Sequence, residues 1–338
     1  MTSLAAAEGQ PLSPPRGLVG ALGGLARRAV AVILALHPLG AVLVLGWLMR
    51  LMAAEAAISR HRLVHDIGLS RAPLPGWVVA GQIDAPAHGR GWLARSLGAL
   101  WLNLAAGLAA LGTLVAGTLP FTALWLMSWW GGWENSFNKG YEQSWVGPTL
   151  GLLSVAVALP LLARLPMALA HQAVEGRMSA FFARRAVTRL IRAAGWRYVA
   201  LGLATALATA PLFAAQALPT FVEGWSPGFA ERHAESLDRF IAVCRLVATT
   251  WLVLSLIAVR RWAARLHARA TLRLEAGPLP SGPVALTGTL LRTLLLWAAS
   301  FAVVAQVFVA QFVNHQWVVW LIPPFAGLPF FAPLTGLP

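Results

Sequence analysis

The length of its uninterrupted apolar runs constrains this chain more than any other feature. Ala29 to Met49, Leu97 to Trp130, Val146 to Ala170, Tyr198 to Phe221, Phe240 to Val259 and Ala285 to Val313 are long stretches with almost no charge. A helix needs ~20 apolar residues to cross hydrocarbon about 30 Å thick. Composition agrees, since 58% of residues are hydrophobic and only 11% charged, against roughly a quarter charged in a soluble domain. The chain therefore reads as an all-α integral membrane protein.

Charge then orients the runs. The chain carries 26 Lys+Arg against 12 Asp+Glu, an excess that in a soluble protein would suggest nucleic acid. Here the arginines occupy short connections between apolar runs, where the positive-inside rule places them, so no nucleic acid is implied. The single lysine, Lys139, shares its connection with Glu134 and Glu142, which assigns that connection to the opposite face. The pattern predicts a multi-pass protein of a bacterial cytoplasmic (inner) membrane with its Arg-rich loops cytoplasmic. Residues 1–28 are expected to be a disordered cytoplasmic lead-in and 29–313 the membrane domain. Residues 314–338 are expected to be an apolar, non-helical, periplasmic tail, because five prolines cut Trp317 to Pro338 and proline cannot continue a helix.

The first run differs from the rest. Arg27 and Arg28 precede it, Arg50, Arg60 and Arg62 follow it, and His37-Pro38-Leu39-Gly40 stands in its middle. Positive flanks on both sides and a turn-forming centre predict a re-entrant or kinked hairpin with both ends on the basic face. The other five runs are expected to be full spans.

Two basic stretches suggest interfacial helices. Between Gly176 and Arg197, a turn of 100° per residue gathers Arg184, Arg185, Arg189 and Arg192 on one side and Ala183, Val187, Leu190 and Ile191 on the other. Farther on, Arg261, Arg265 and Arg269 repeat every four residues. These seven arginines are candidate contacts for anionic lipid headgroups. At the other face, Trp133, Phe137, Tyr141 and Trp145 crowd one short segment, and Trp317 opens the tail. Aromatic side chains at that density suit contact with another integral membrane protein.

Several short motifs resemble an uncharacterised family of prokaryotic polytopic membrane proteins, a domain of unknown function. They are Gly46-Trp47-Leu48-Met49-Arg50, then Leu74-Pro75-Gly76-Trp77, then Phe182 through Arg192 running into Tyr198. The family pattern is Gly-Tyr-Leu-x-Arg, Leu-Pro-Glu-Trp and an Ile-Arg-rich stretch before a span; here Trp47 stands for the tyrosine and Gly76 for the glutamate. The resemblance covers roughly residues 20–216. It implies a polytopic membrane architecture and no particular activity.

Sites of chemistry are scarce. No carboxylate falls near the middle of an expected span, and ionisable groups at depth are where function usually shows in a membrane. Cys244 is the only cysteine, so no disulfide or cysteine-based zinc site can form within the chain. His37, His171 and His315 have no partner at a telling spacing, and His61 and His65 lack a third ligand. Arg164, Arg245 and Arg292 lie within or near apolar runs, where they either snorkel to headgroups or hold an anion. Phosphate loops, nucleophile elbows and metalloprotease helices are absent. The expectation is no catalytic residue, no metal and no cofactor. An accessory, scaffold or assembly subunit of a larger membrane complex fits this pattern first, then a transporter or channel for an uncharged or anionic solute, then a membrane enzyme.

Overall fold

The computed structural model describes residues 18–65, 92–133, 145–225, 234–280 and 282–313. Among them there are α-helices and one short 3-10 turn but no strand: α1 (Leu18–Ala35), α2 (Pro38–His65), α3 (Trp92–Trp133), α4 (Val146–Glu175), the 3-10 turn Met178–Ala180, α5 (Arg184–Ala194), α6 (Trp196–Trp225), α7 (Ala234–Glu275) and α8 (Pro283–Val313). Five of these helices, α2, α3, α4, α7 and α8, are long and apolar enough to cross a membrane. The chain is an all-α, multi-pass membrane protein. Four of the expected spans, α3, α4, α7 and α8, are among these five, and α2 is the other. The sequence counts α6 as a span and the start of α2 as a hairpin arm; α6 is a further helix of 30 residues, most of whose side chains beyond Pro211 lie outside the described residues.

The hairpin itself forms where the sequence places its break. Helix α1 ends at Ala35, Leu36 and His37 turn, and Pro38 takes the first position of α2, where its missing N–H leaves no bond unmade. The turn residues Leu36, His37, Pro38 and Leu39 are themselves exposed. Val44 and Leu48 cluster with Ala31, Val32 and Ala35 of α1 and with Val253 and Ile257 of α7. Helices α1 and α2 thus form a helical hairpin whose arms pack on each other and on α7.

Three boundaries depart from the sequence expectation. Helix α1 begins at Leu18, so residues 18–28 are helical rather than part of a disordered lead-in; Leu18 to Leu25 contains no proline and only small or apolar residues. The amphipathic segment is helical over Arg184–Ala194 alone, because α4 stops at Gly176, whose φ of 69° lies in the left-handed region that glycine favours. The stretch carrying Arg261, Arg265 and Arg269 is no separate interfacial helix, but the last part of α7, a single helix of 42 residues. Residues 1–17, 66–91, 134–144 and 314–338 lie outside the described residues, and with them the expected tail.

Helices α2, α4 and α7 form the centre, each packing on the other two; α3 covers α2 and α4, and α6 covers α7, with α8 against α6 and α4. Glycines set the closest approach. A Cβ on Gly46 of α2 would collide with the carbonyl of Asn103 in α3, and a Cβ on Gly107 would collide with the carbonyl of Val42. Two glycines facing opposite ways across one crossing let the backbones touch, as small residues do between helices in lipid. Hydrogen bonds between helices extend the contact along α3: Arg50 Nη1 donates to Asn103 Oδ1 at 2.7 Å, Thr113 Oγ1 to Gln172 Oε1 at 2.9 Å, and Ser154 Oγ to the Phe121 carbonyl at 3.1 Å.

At one end of the bundle α2, α4 and α7 finish and α3, α6 and α8 begin. Arginines gather there, so we call it the basic end. Arg60 and Glu275, near the last turns of α2 and α7, pair at 2.8 Å.

Candidate functional site

Helix α7 positions the groups of interest, and its periodicity explains why. Thr249, Arg260 and His267 are separated by eleven and seven residues, close to three turns and two turns of about 3.6 residues, so they share one face. All three are buried. Arg261, next in sequence to Arg260, points about 100° away, toward α2. A basic pair at the end of an apolar run is thus divided into two environments.

On the α2 side, Glu55 receives Arg261 Nε at 2.9 Å and Arg265 Nε at 2.6 Å, with its carboxylate only 11% exposed. The carboxylate's several lone pairs satisfy two guanidinium groups at once. This clamp ties α2 to α7 and places a buried acid in one of the five long apolar helices, where the sequence expects none. Arg269 lies on the exposed part of α7. One turn later, Arg273 donates to the Ala193 carbonyl at 2.8 Å, capping the negative end of α5.

On the α4 side, α7 meets a seam of unusual polarity. His171 Nδ1 of α4 and His267 Nε2 of α7 stand 3.2 Å apart, with rings stacked 5.5 Å between centroids. One imidazole donates and the other accepts. The pair borders a cavity of about 630 Å³ at the basic end, framed by α2, α4, α5 and α7, to which Arg60, His61, Glu175 and Arg189 also contribute. Among the described residues no three metal-ligating side chains converge.

Seven residues back along α7, about 10 Å, Arg260 borders a second cavity of about 90 Å³ between α4, α6, α7 and α8. Its side chain is buried, and among the described residues no acceptor bonds its Nη1 and no carboxylate pairs with it. A buried guanidinium without a counter-charge is strongly disfavoured, by several kcal/mol even after relaxation. The hydroxyls around it do not compensate. Thr205, Thr209 and Ser300 each donate to a carbonyl of their own helix. Ser255 alone of the lining hydroxyls makes no hydrogen bond among the described residues.

Tyr198 closes the same cavity and also maintains a kink. Pro166 removes one N–H from α4 and pushes the helix open. The Tyr198 hydroxyl of α6 donates to the Ala163 carbonyl at 2.8 Å and accepts from the Met167 N–H at 3.4 Å. Those two backbone groups sit on either side of Pro166, one turn apart. The side chain is fully buried, and it bridges the bend that shapes the cavity wall.

Residues singled out from sequence are distributed as follows. Arg184, Arg185, Arg189 and Arg192 are exposed on α5, while Val187, Leu190, Ala193 and Ala194 are buried against the bundle. Arg261 and Arg265 engage Glu55. Trp145 precedes α4 and is 67% exposed; Trp133 ends α3, its side chain outside the described residues, as are Phe137, Tyr141 and Trp317. Arg164 is exposed, and Arg292 folds back on Gly288 and Thr289 of its own helix. The side chain of Arg245 is not among those described. His171 does have a facing partner, from a helix 96 residues away, a separation that local spacing cannot reveal. Arg260 was legible only by contrast: it is the one arginine near the end of this run that falls off the face shared by Arg261, Arg265 and Arg269. No protein-family model, no curated protein and no solved structure matches the chain.

Proposed function

We propose that this membrane protein binds an anionic solute at Arg260 and carries it between that site and the cavity at the basic end. The observation behind it is a buried guanidinium, unpaired among the described residues, that borders a cavity. In the apolar centre of a membrane bundle a charge without a partner is kept for a ligand or a pathway. The Thr249–Arg260–His267 face supplies a line of buried polar groups along α7, and the prolines inside α4 provide a wall able to rearrange. By the positive-inside rule the basic end, with exposed Arg184, Arg185, Arg189, Arg192 and Arg269 toward anionic headgroups, faces the cytoplasm of a bacterial inner membrane.

Liposomes containing the purified full chain should pass small organic or inorganic anions, and Arg260→Gln should abolish that flux while leaving the protein folded. Flux unchanged by the substitution, or no flux of any anion, would remove the carrier function. A subunit role within a larger membrane complex would then stand in its place. It draws on the exposed Trp145 beside the aromatic segment 134–144, and mild-detergent purification should recover a stoichiometric partner that Trp145→Ser weakens.

A further inference from the structure

The chemistry around Arg260 also restricts which anion would fit. Donors that remain free to face the cavity are few. The hydroxyls of Thr205, Thr209, Ser300 and Tyr198 spend their hydrogens on backbone carbonyls. What is left is the Arg260 guanidinium and the Ser255 hydroxyl. Charge is equally limited, for Arg260 is the one cation among the described lining residues. A phosphate or sulfate brings three or four oxygens and up to two negative charges, and would bury acceptors that nothing satisfies. Halide would use the charge but none of the directionality.

A carboxylate matches on both counts. Its two oxygens accept two parallel N–H bonds from a guanidinium fork, its single charge is neutralised by a single cation, and a lone pair remains for Ser255. The rest of the wall selects the body of the ligand. Leu162, Leu165, Leu252, Leu256, Leu296 and Val303 supply apolar surface and no hydrogen-bonding side chain. Resting on the anion-binding function proposed above, we infer that the ligand is a monocarboxylate with an apolar alkyl or aryl body, held head-on by Arg260 and Ser255. About 90 Å³ admits several water-sized volumes, enough for a carboxylate and the first few carbons.

Equilibrium dialysis of the purified full chain in nanodiscs against acetate, butyrate, hexanoate, chloride and inorganic phosphate tests this. Affinity is expected to rise by up to fourfold per added methylene over the first few carbons, with phosphate and chloride weakest. Arg260→Met should remove the binding of every carboxylate, and Ser255→Ala should weaken it severalfold at unchanged chain-length dependence. Nanodiscs containing Arg260→Met protein report lipid partitioning alone and are subtracted as background; a remaining, Arg260-dependent signal that does not rise with chain length counts against the apolar body of the ligand. Should phosphate or chloride bind through Arg260 as tightly as hexanoate, the carboxylate class is wrong while anion binding survives. Should no anion bind in an Arg260-dependent way, both fall together.

Discussion

The crossing of α2 with α3 and the seam between α4 and α7 are both helix contacts inside one apolar bundle, yet they are built on opposite principles. At the first, Gly46 and Gly107 bring backbone against backbone, and the nearby Arg50 is bonded to Asn103. At the second, the contact is made by two imidazoles, cavities flank it, and Arg260 has no counter-charge among the described residues. Close packing gains dispersion energy and fixes geometry; an open, polar seam gives up that stabilisation and gains room for a ligand. The contrast separates a frame from a working part, with α2 and α4 holding the two together.

The largest effect is expected at the frame. Gly46→Val or Gly107→Val drives a side chain into a backbone carbonyl, which cannot swing aside, so destabilisation should exceed the ~1–3 kcal/mol of ordinary overpacking. Loss of the monodisperse folded species in detergent reads this out; a variant that melts like the parent would show that the crossing is not tight. Arg260→Met should act in the opposite direction. Replacing an uncompensated buried charge by an apolar side chain of similar length is expected to stabilise the ligand-free protein by ~1–4 kcal/mol, measured as a rise in melting temperature with no added anion. A fall instead would mean that the guanidinium already has a partner, and the two regions would differ less than described. The smallest of the three changes, Tyr198→Phe, leaves the Ala163 carbonyl and the Met167 N–H without their bridge and should lower stability by ~1–3 kcal/mol. Binding at Arg260 should weaken with it, since the bend in α4 shapes the same cavity, whereas the α2–α3 contact should not change.

Much of the frame could be read from residues, because it depends on local signals. Apolar runs mark helices, His37-Pro38 marks a turn, and arginines at 100° spacing mark the exposed side of α5. The working part could not, because its members come together only through tertiary packing. His171 and His267 lie 96 residues apart, and Glu55 meets Arg261 across 206. Composition even hides Arg260, since one more arginine at the end of an apolar run looks like topology. The extent of α7 was misjudged for a similar reason: a basic stretch after an apolar one resembles a new interfacial helix until the clamp from α2 is seen to carry the same helix onward.

That clamp bears on the order in which the chain can be assembled. Glu55 belongs to α2 and its two arginines to α7, so synthesis of about 200 further residues separates the acid from its partners. The α1–α2 hairpin is in the same position, since Val253 and Ile257 complete the apolar cluster between its arms. Until α7 arrives, the nascent N-terminal hairpin holds an uncompensated carboxylate and a partly uncovered apolar cluster, and it has every reason to stay at the membrane surface or under the protection of the insertion machinery. The arrival of α7 would therefore act as a closing event in biogenesis, one that pulls the first helices into place after most of the protein has already been inserted.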